Sequence, residues 1–172
     1  MKNKFALIFT LLFVLNYISL IGFEGGKKMD DKKKGRVTGI GGIFFKCENP
    51  QEIKEWYRNN LGLAVDEHGS PFEFRNANRP EEINYLNWSP FSKDTEYFDP
   101  SKKEFMINYR VENIEALVEQ LRESGVTIVD TIESYDYGKF VHILDSENNK
   151  IELWEPVDSV FTEYYKDRQT TK

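Results

Sequence analysis

Cysteine is almost missing from this chain: Cys47 is the only one in 172 residues. One thiol cannot form an intrachain disulfide, a cysteine zinc site or a redox C-x-x-C pair. The fold must stand on packing. An excess of positive charge is missing as well. The chain has 23 Lys and Arg against 29 Asp and Glu, a formal charge of −6, and residues 1–28 hold four of the lysines and one glutamate, so the remainder carries −9. A phosphate-binding face needs Lys and Arg gathered on one side, which excludes nucleic acid as a partner. No small-x-small cleavage site precedes Glu24, and this weakens the case for a cleaved secretory signal.

The segment from Phe5 to Phe23 is almost wholly apolar after Lys2 and Lys4. About nineteen apolar residues just span a bilayer and are long for a signal core, so a membrane anchor fits better than export. Two basic residues precede the segment and six follow within Lys27 to Arg36. The positive-inside tendency then leaves the rest of the chain in the cytoplasm. Met29 opens MDDKKKGRVTG, a sensible start for a soluble protein, so that start stays open beside the anchor. Residues 29–36 read as a basic linker.

With 40% apolar and 15% aromatic residues, the remainder can bury the core of one domain, placed at residues 37–157. Val37 to Cys47 reads as a strand. Asn49-Pro50-Gln51-Glu52 supplies an N-cap, a proline for the first helical turn and a carboxylate reaching back. Ile53, Trp56, Tyr57 and Leu61 recur at helical spacing, and Gly62 suits a left-handed stop. Strand-like runs follow at Leu63 to Val65, Pro71 to Arg75 and Ile83 to Trp88. The order then returns. Glu104 to Val111 reads as a strand, Asn113 as a cap, Ile114, Leu117, Val118 and Leu121 as a buried stripe, and Gly125 as the stop. Strands follow at Val126 to Ile132, Lys139 to Leu144 and Lys150 to Glu155, with a turn at Asp145 to Asn149. LNWSP at Leu86 to Pro90 and LWEP at Leu153 to Pro156 close the two units. This is an internal βαβββ repeat: residues 37–90 form one module, 104–157 the other, and 91–103 a linker suited to act as a lid. Residues 158–172 read as a short extra helix or a loose tail.

One helix per module covers one face of a sheet, so the other face curves around a cavity. Strand parity sorts the residues. Ile43, Phe45, Cys47, Ile107, Tyr109, Val111, Val141, Ile143, Ile151 and Leu153 belong under the helices. Gly42, Phe44, Lys46, Met106, Asn108, Arg110, Phe140, His142, Lys150, Glu152 and Trp154 face the concave side. The expected architecture is α+β, with paired βαβββ modules forming a curved mixed sheet.

The runs IFFKCENPQEIKEWYRNNLGL, FMINYRVENIEALVEQLRESGV and FVHILDSENNKIELWEP resemble the vicinal oxygen chelate superfamily of glyoxalases, bleomycin-resistance proteins and extradiol dioxygenases, over Val37 to Asp158. The superfamily hosts lyases, dioxygenases, epimerases, thiol transferases and drug-sequestering proteins, so the resemblance implies a fold more than an activity. Its metal enzymes hold a divalent ion in the cavity. Carried onto this chain, the ligand positions fall at Gly42, near Leu86 with Asn84 as the polar neighbour, at Met106 and at Glu152. Glu152 alone is a ligand-type residue, and one carboxylate cannot hold a transition metal against water. The expectation is therefore a small-molecule binding protein with no metal and no cofactor. A metal-independent lyase or isomerase using Glu152 and His142 as base and acid is the alternative. A membrane-tethered, non-catalytic interaction module is the third reading.

The candidate ligand-binding residues are Phe44, Lys46, Asn84, Trp88, Met106, Asn108, Arg110, Phe140 and Trp154. Trp88 and Trp154 end equivalent strands, either to stack a planar or cationic ligand or to pack on each other. Lys46 and Arg110 suit an anionic group, or solvated ion pairs with Glu48 and Glu112. Glu152 has a bland reading too, paired with Arg110 or Lys150, and His142 one as a hydrogen-bonded wall residue. His68 reads as solvent-facing and Cys47 as an inert small hydrophobe. Open sheet edges and the superfamily's habits point to a homodimer.

Overall fold

The computed structural model describes residues 34–172. The apolar run at residues 5–23 lies outside them, and with it the anchor, the signal and the Met29 start. Among the described residues no helix is long and apolar enough to cross a membrane.

Strand β1 (Arg36–Cys47) leads into helix α1 (Pro50–Leu61). The Asn49 side chain accepts the N–H groups of Gln51 and Glu52, both at 3.2 Å, and Pro50 opens the first turn. Gly62 closes the helix at φ 73° and donates its N–H to the Arg58 carbonyl, a left-handed conformation that costs glycine little. Then come β2 (Ser70–Arg75), β3 (Ile83–Ser92), β4 (Phe105–Glu112), α2 (Ile114–Glu123), β5 (Thr127–Ile128), β6 (Glu133–Tyr135), β7 (Gly138–Leu144), β8 (Lys150–Pro156) and α3 (Asp158–Tyr164).

The strands form one mixed sheet in the order β2-β3-β1-β4-β8-β7-β5, with β6 also on β7. Antiparallel β1 and β4 lie at the centre, and each has a parallel outer neighbour, β3 beside β1 and β8 beside β4. The two halves thus repeat one pattern, the α+β curved sheet that the sequence implies. Helix α2 buries Ile114, Leu117 and Val118 against Val111, Val141, Ile143 and Leu153, the faces assigned by parity.

The first half packs differently. On α1 the inward residues are Ile53, Lys54 and Tyr57, while Trp56 and Leu61 of the expected stripe are 51% and 59% exposed. Lys54 lies flat and sends its ammonium to the carbonyls of Asp66 and Glu67 at 3.2 and 2.8 Å; its stem covers apolar surface as a hydrophobe would. The helix packs on β3, which leaves Ile43 on central β1 exposed. Leu63 to Val65 is not a strand. Ala64 gives its N–H to the Thr171 hydroxyl, and Thr171 pairs with β2. The expected strand from Val126 to Ile132 shrinks to β5, because Asp130 turns back to accept the His142 N–H. Strand β3 runs on through Ser92 into the expected linker. The tail is the extra helix rather than a loose end.

Candidate functional site

The concave face and α3 enclose a cavity of about 530 Å³. Phe44, Asn108, Phe140, Glu152 and Trp154 line it from the sheet, and Phe161, Tyr164 and Tyr165 close it from α3 and the residue that follows. Parity aims the first group inward. The roof is fastened from below: Asp158, at the start of α3, takes hydrogen bonds from Arg110 at 2.5 Å and Asn84 at 3.0 Å.

Glu152 is 3% exposed and takes three donors. Asn108, its neighbour in register on β4, donates Nδ2 to Oε1 at 2.5 Å. His142, its neighbour on β7, brings Nε2 to Oε2 at 3.0 Å. Tyr97, from the loop between β3 and β4, donates its hydroxyl to Oε2. Behind the imidazole stands Asp130, whose Oδ2 lies 2.6 Å from Nδ1. Burial by itself would lower the His142 pKa, but the hydrogen bond and charge of Glu152 and the hydrogen bond of Asp130 outweigh it and hold the value above the ordinary one. Burial first, and the Glu152 charge next, push the Tyr97 phenol far above its usual value, so it stays a donor. Tyr97 keeps an exposed edge while its hydroxyl reaches inward.

Several residues expected at the cavity do other work. Lys46 donates to the Thr95 carbonyl at 2.9 Å and Lys150 to that of Tyr97 at 2.7 Å, so these two cations pin the loop rather than meet an anion. Met106 is fully buried with Phe44 and Phe98. Trp88 turns to the helix side, with its ring 4.5 Å from Tyr57 and 5.3 Å from Phe45; the parallel register, Ile43 opposite Trp88, puts it on that face. It stacks neither on Trp154 nor toward the cavity. Arg110 is 4% exposed and bonded to Asp158 and the Tyr85 carbonyl, while Glu112 pairs with Arg36. Neither the solvated pair with Glu112 nor an open anion site survives, because Asp158 lies nearer. Asn84 is buried beneath α3. His68 sits at the cavity mouth beside Glu67. Cys47 is half-buried, and burial raises its thiol pKa. The sequence reading missed Tyr97, Asp130 and the α3 aromatics; the spacing Phe161, Tyr164, Tyr165 carried a helical signal that could have found the last.

A divalent ion of the superfamily's kind does not fit these residues. The neighbour of Glu152 in register is Asn108, two residues from the Met106 position carried over by resemblance. Across on β1, Gly41 and Gly42 offer no donor, and a Cβ on Gly41 would come within 2.2 Å of Asn108 Oδ1. Both oxygens of Glu152 face N–H or O–H donors. Among the described residues no three His, Cys, Asp or Glu side chains are grouped to hold a metal.

A search of curated protein sequences found no match. Solved structures do match. A variant of the Streptomyces coelicolor methylmalonyl-CoA epimerase, in complex with 2-nitronate-propionyl-CoA, aligns at 15% identity and TM-score 0.53, covering 71% of this chain and 99% of that one. A second variant of it aligns at 14% identity and TM-score 0.54, covering 71% and 96%. The methylmalonyl-CoA epimerase from Mycobacterium tuberculosis aligns at 19% identity and TM-score 0.48, covering 73% and 93%. At such identities the likeness is one of fold. The sequence model for the Glyoxalase/Bleomycin resistance protein/Dioxygenase superfamily matches residues 39–153, most of the chain. With the paired modules and the enclosed hollow, that match places the chain in the glyoxalase/bleomycin resistance protein/dioxygenase superfamily.

Proposed function

We propose that this chain binds a flat, mainly apolar small molecule in the cavity beneath α3, without a divalent ion of the superfamily type. The carrying observation is the lining: aromatic rings on both sheet and roof, with Glu152 and Asn108 as the polar pair on the floor. Such a pocket gives dispersion and burial to a planar body and fixes its orientation at one polar end. A screen of aromatic compounds by thermal shift should find ligands whose stabilisation falls by at least a few degrees in Phe161→Ala and Trp154→Ala. Binding unchanged in both variants defeats the cavity reading. Tight stabilisation by micromolar Zn, Ni, Mn or Fe defeats the metal-free part. A homodimer, and attachment through residues 5–23, belong to the same proposal. Sedimentation and membrane fractionation of the full chain test them, and a monomer found in the soluble fraction refutes both.

A second reading is favoured by one observation, the Asp130–His142–Glu152 chain that ends on the cavity floor. In it Glu152 is the base of a metal-independent lyase or isomerase, His142 shares the abstracted proton, and Asp130 orients the ring. Turnover lost in Glu152→Gln with an unchanged melting temperature would support it; turnover retained would end it.

A further inference from the structure

We infer that the ligand carries a cationic nitrogen, seated at Glu152 and Asn108, with its planar body against the rings of the roof. This deepens the proposed function and rests on its cavity. Two independent observations carry it. The first is the sign of the wall. Among the described residues two carboxylates line the cavity, Glu152 on the floor and Asp136 at the turn before β7, and no Lys or Arg does. The cations of the described strands beside it are engaged: Arg110 with Asp158, Lys46 with the Thr95 carbonyl and Lys150 with the Tyr97 carbonyl. Behind Glu152, a positive charge on His142 when protonated is offset by Asp130. A ligand carboxylate or phosphate would therefore meet two carboxylates and no Lys or Arg counter-charge, which makes its burial costly.

The second observation is an acceptor left over. Asn108 is 2% exposed and lines the floor, yet among the described residues its Oδ1 has no hydrogen-bond partner, because its Nδ2 faces Glu152. Oδ1 is packed against the Gly41 backbone, which itself lines the cavity. A buried carbonyl oxygen without a donor carries the cost of its lost hydration, and an N–H of the ligand would remove that cost. Carboxylate, amide oxygen and ring faces are three features that together favour a protonated amine or amidine. The same features count against an anionic thioester, so the likeness to the epimerases does not extend to their ligands here.

The test uses three ring systems of one shape: 9-aminoacridine as the cation, acridine as the neutral body and acridine-9-carboxylate as the anion. Affinities are measured by fluorescence titration of the full chain at pH 8. The cation should bind at least tenfold more tightly than acridine, and the carboxylate at least tenfold more weakly. In Glu152→Gln the advantage of the cation should fall to about threefold or less, with acridine unchanged. Asp136→Asn, at the exposed mouth, supplies a variant with an intact floor and should lower the advantage by a smaller factor. If acridine binds and the cation has no advantage, the charge inference is overturned and the cavity stands. If none of the three binds, the cavity reading falls and the inference with it.

Discussion

His142 stands between two carboxylates, and this fixes the sign of a pH effect. Its pKa in the folded chain lies above the ordinary value of 6.5, so the native state binds the proton more tightly than the unfolded one. The resulting stabilisation is complete below about pH 6.5 and is lost as pH rises through the folded value. The melting temperature should fall over that span in the wild type, and His142→Asn should flatten the slope. Proton-detected titration of the ring should give a value above 6.5 that drops in Asp130→Asn; an unshifted value would show that Asp130 does not hold the charge. At this scale the sequence was informative where a regular strand carried the residue. Alternation along β4, β7 and β8 aimed Asn108, His142, Glu152 and Trp154 correctly, because a strand has only two faces. Tyr97 and Asp130 were illegible, since each lies in irregular backbone whose direction no period sets.

Helices α1 and α2 show how much an element can disclose about itself and how little about its surroundings. The caps at Asn49 and Gly62 were legible because capping is satisfied within a few residues. At the start of α2, Asn113 instead takes a left-handed φ of 55°, and its N–H bonds the Glu155 carboxylate, a partner 42 residues away that local pattern does not reveal. Periodicity assigned α2 its buried stripe but misjudged α1. It groups residues on one face without saying whether anything lies opposite, and α1 turns Ile53, Lys54 and Tyr57 inward while Trp56 and Leu61 stay exposed. Urea unfolding separates the two cases. Leu117→Ala should cost about 2–5 kcal/mol, whereas Trp56→Gln should stay within about 0.5 kcal/mol. Asn49→Ala should cost about 1 kcal/mol through the two amides it leaves uncapped.

For the molecule as a whole, the paired modules were legible from repetition, while the roof was not. Its position depends on Asp158 meeting Arg110 and on Thr171 joining β2, contacts between residues 48 and 101 apart. Asp158→Asn should destabilise the chain by about 3 kcal/mol, because it removes the negative charge that Arg110 faces; replacing the pair with Leu and Met should restore most of that loss. A fold unaffected by the single change would mean that the helix is held by its aromatic contacts alone.

The Arg110–Asp158 clasp also bears on how the protein answers dissolved salt. Its arginine is almost wholly withdrawn from solvent, and mobile ions shield such a pair far less than charges at the surface. Raising ionic strength should therefore leave the α3 roof fastened, so any weakening of binding along a salt series reports the charge of the guest and not a loosened host.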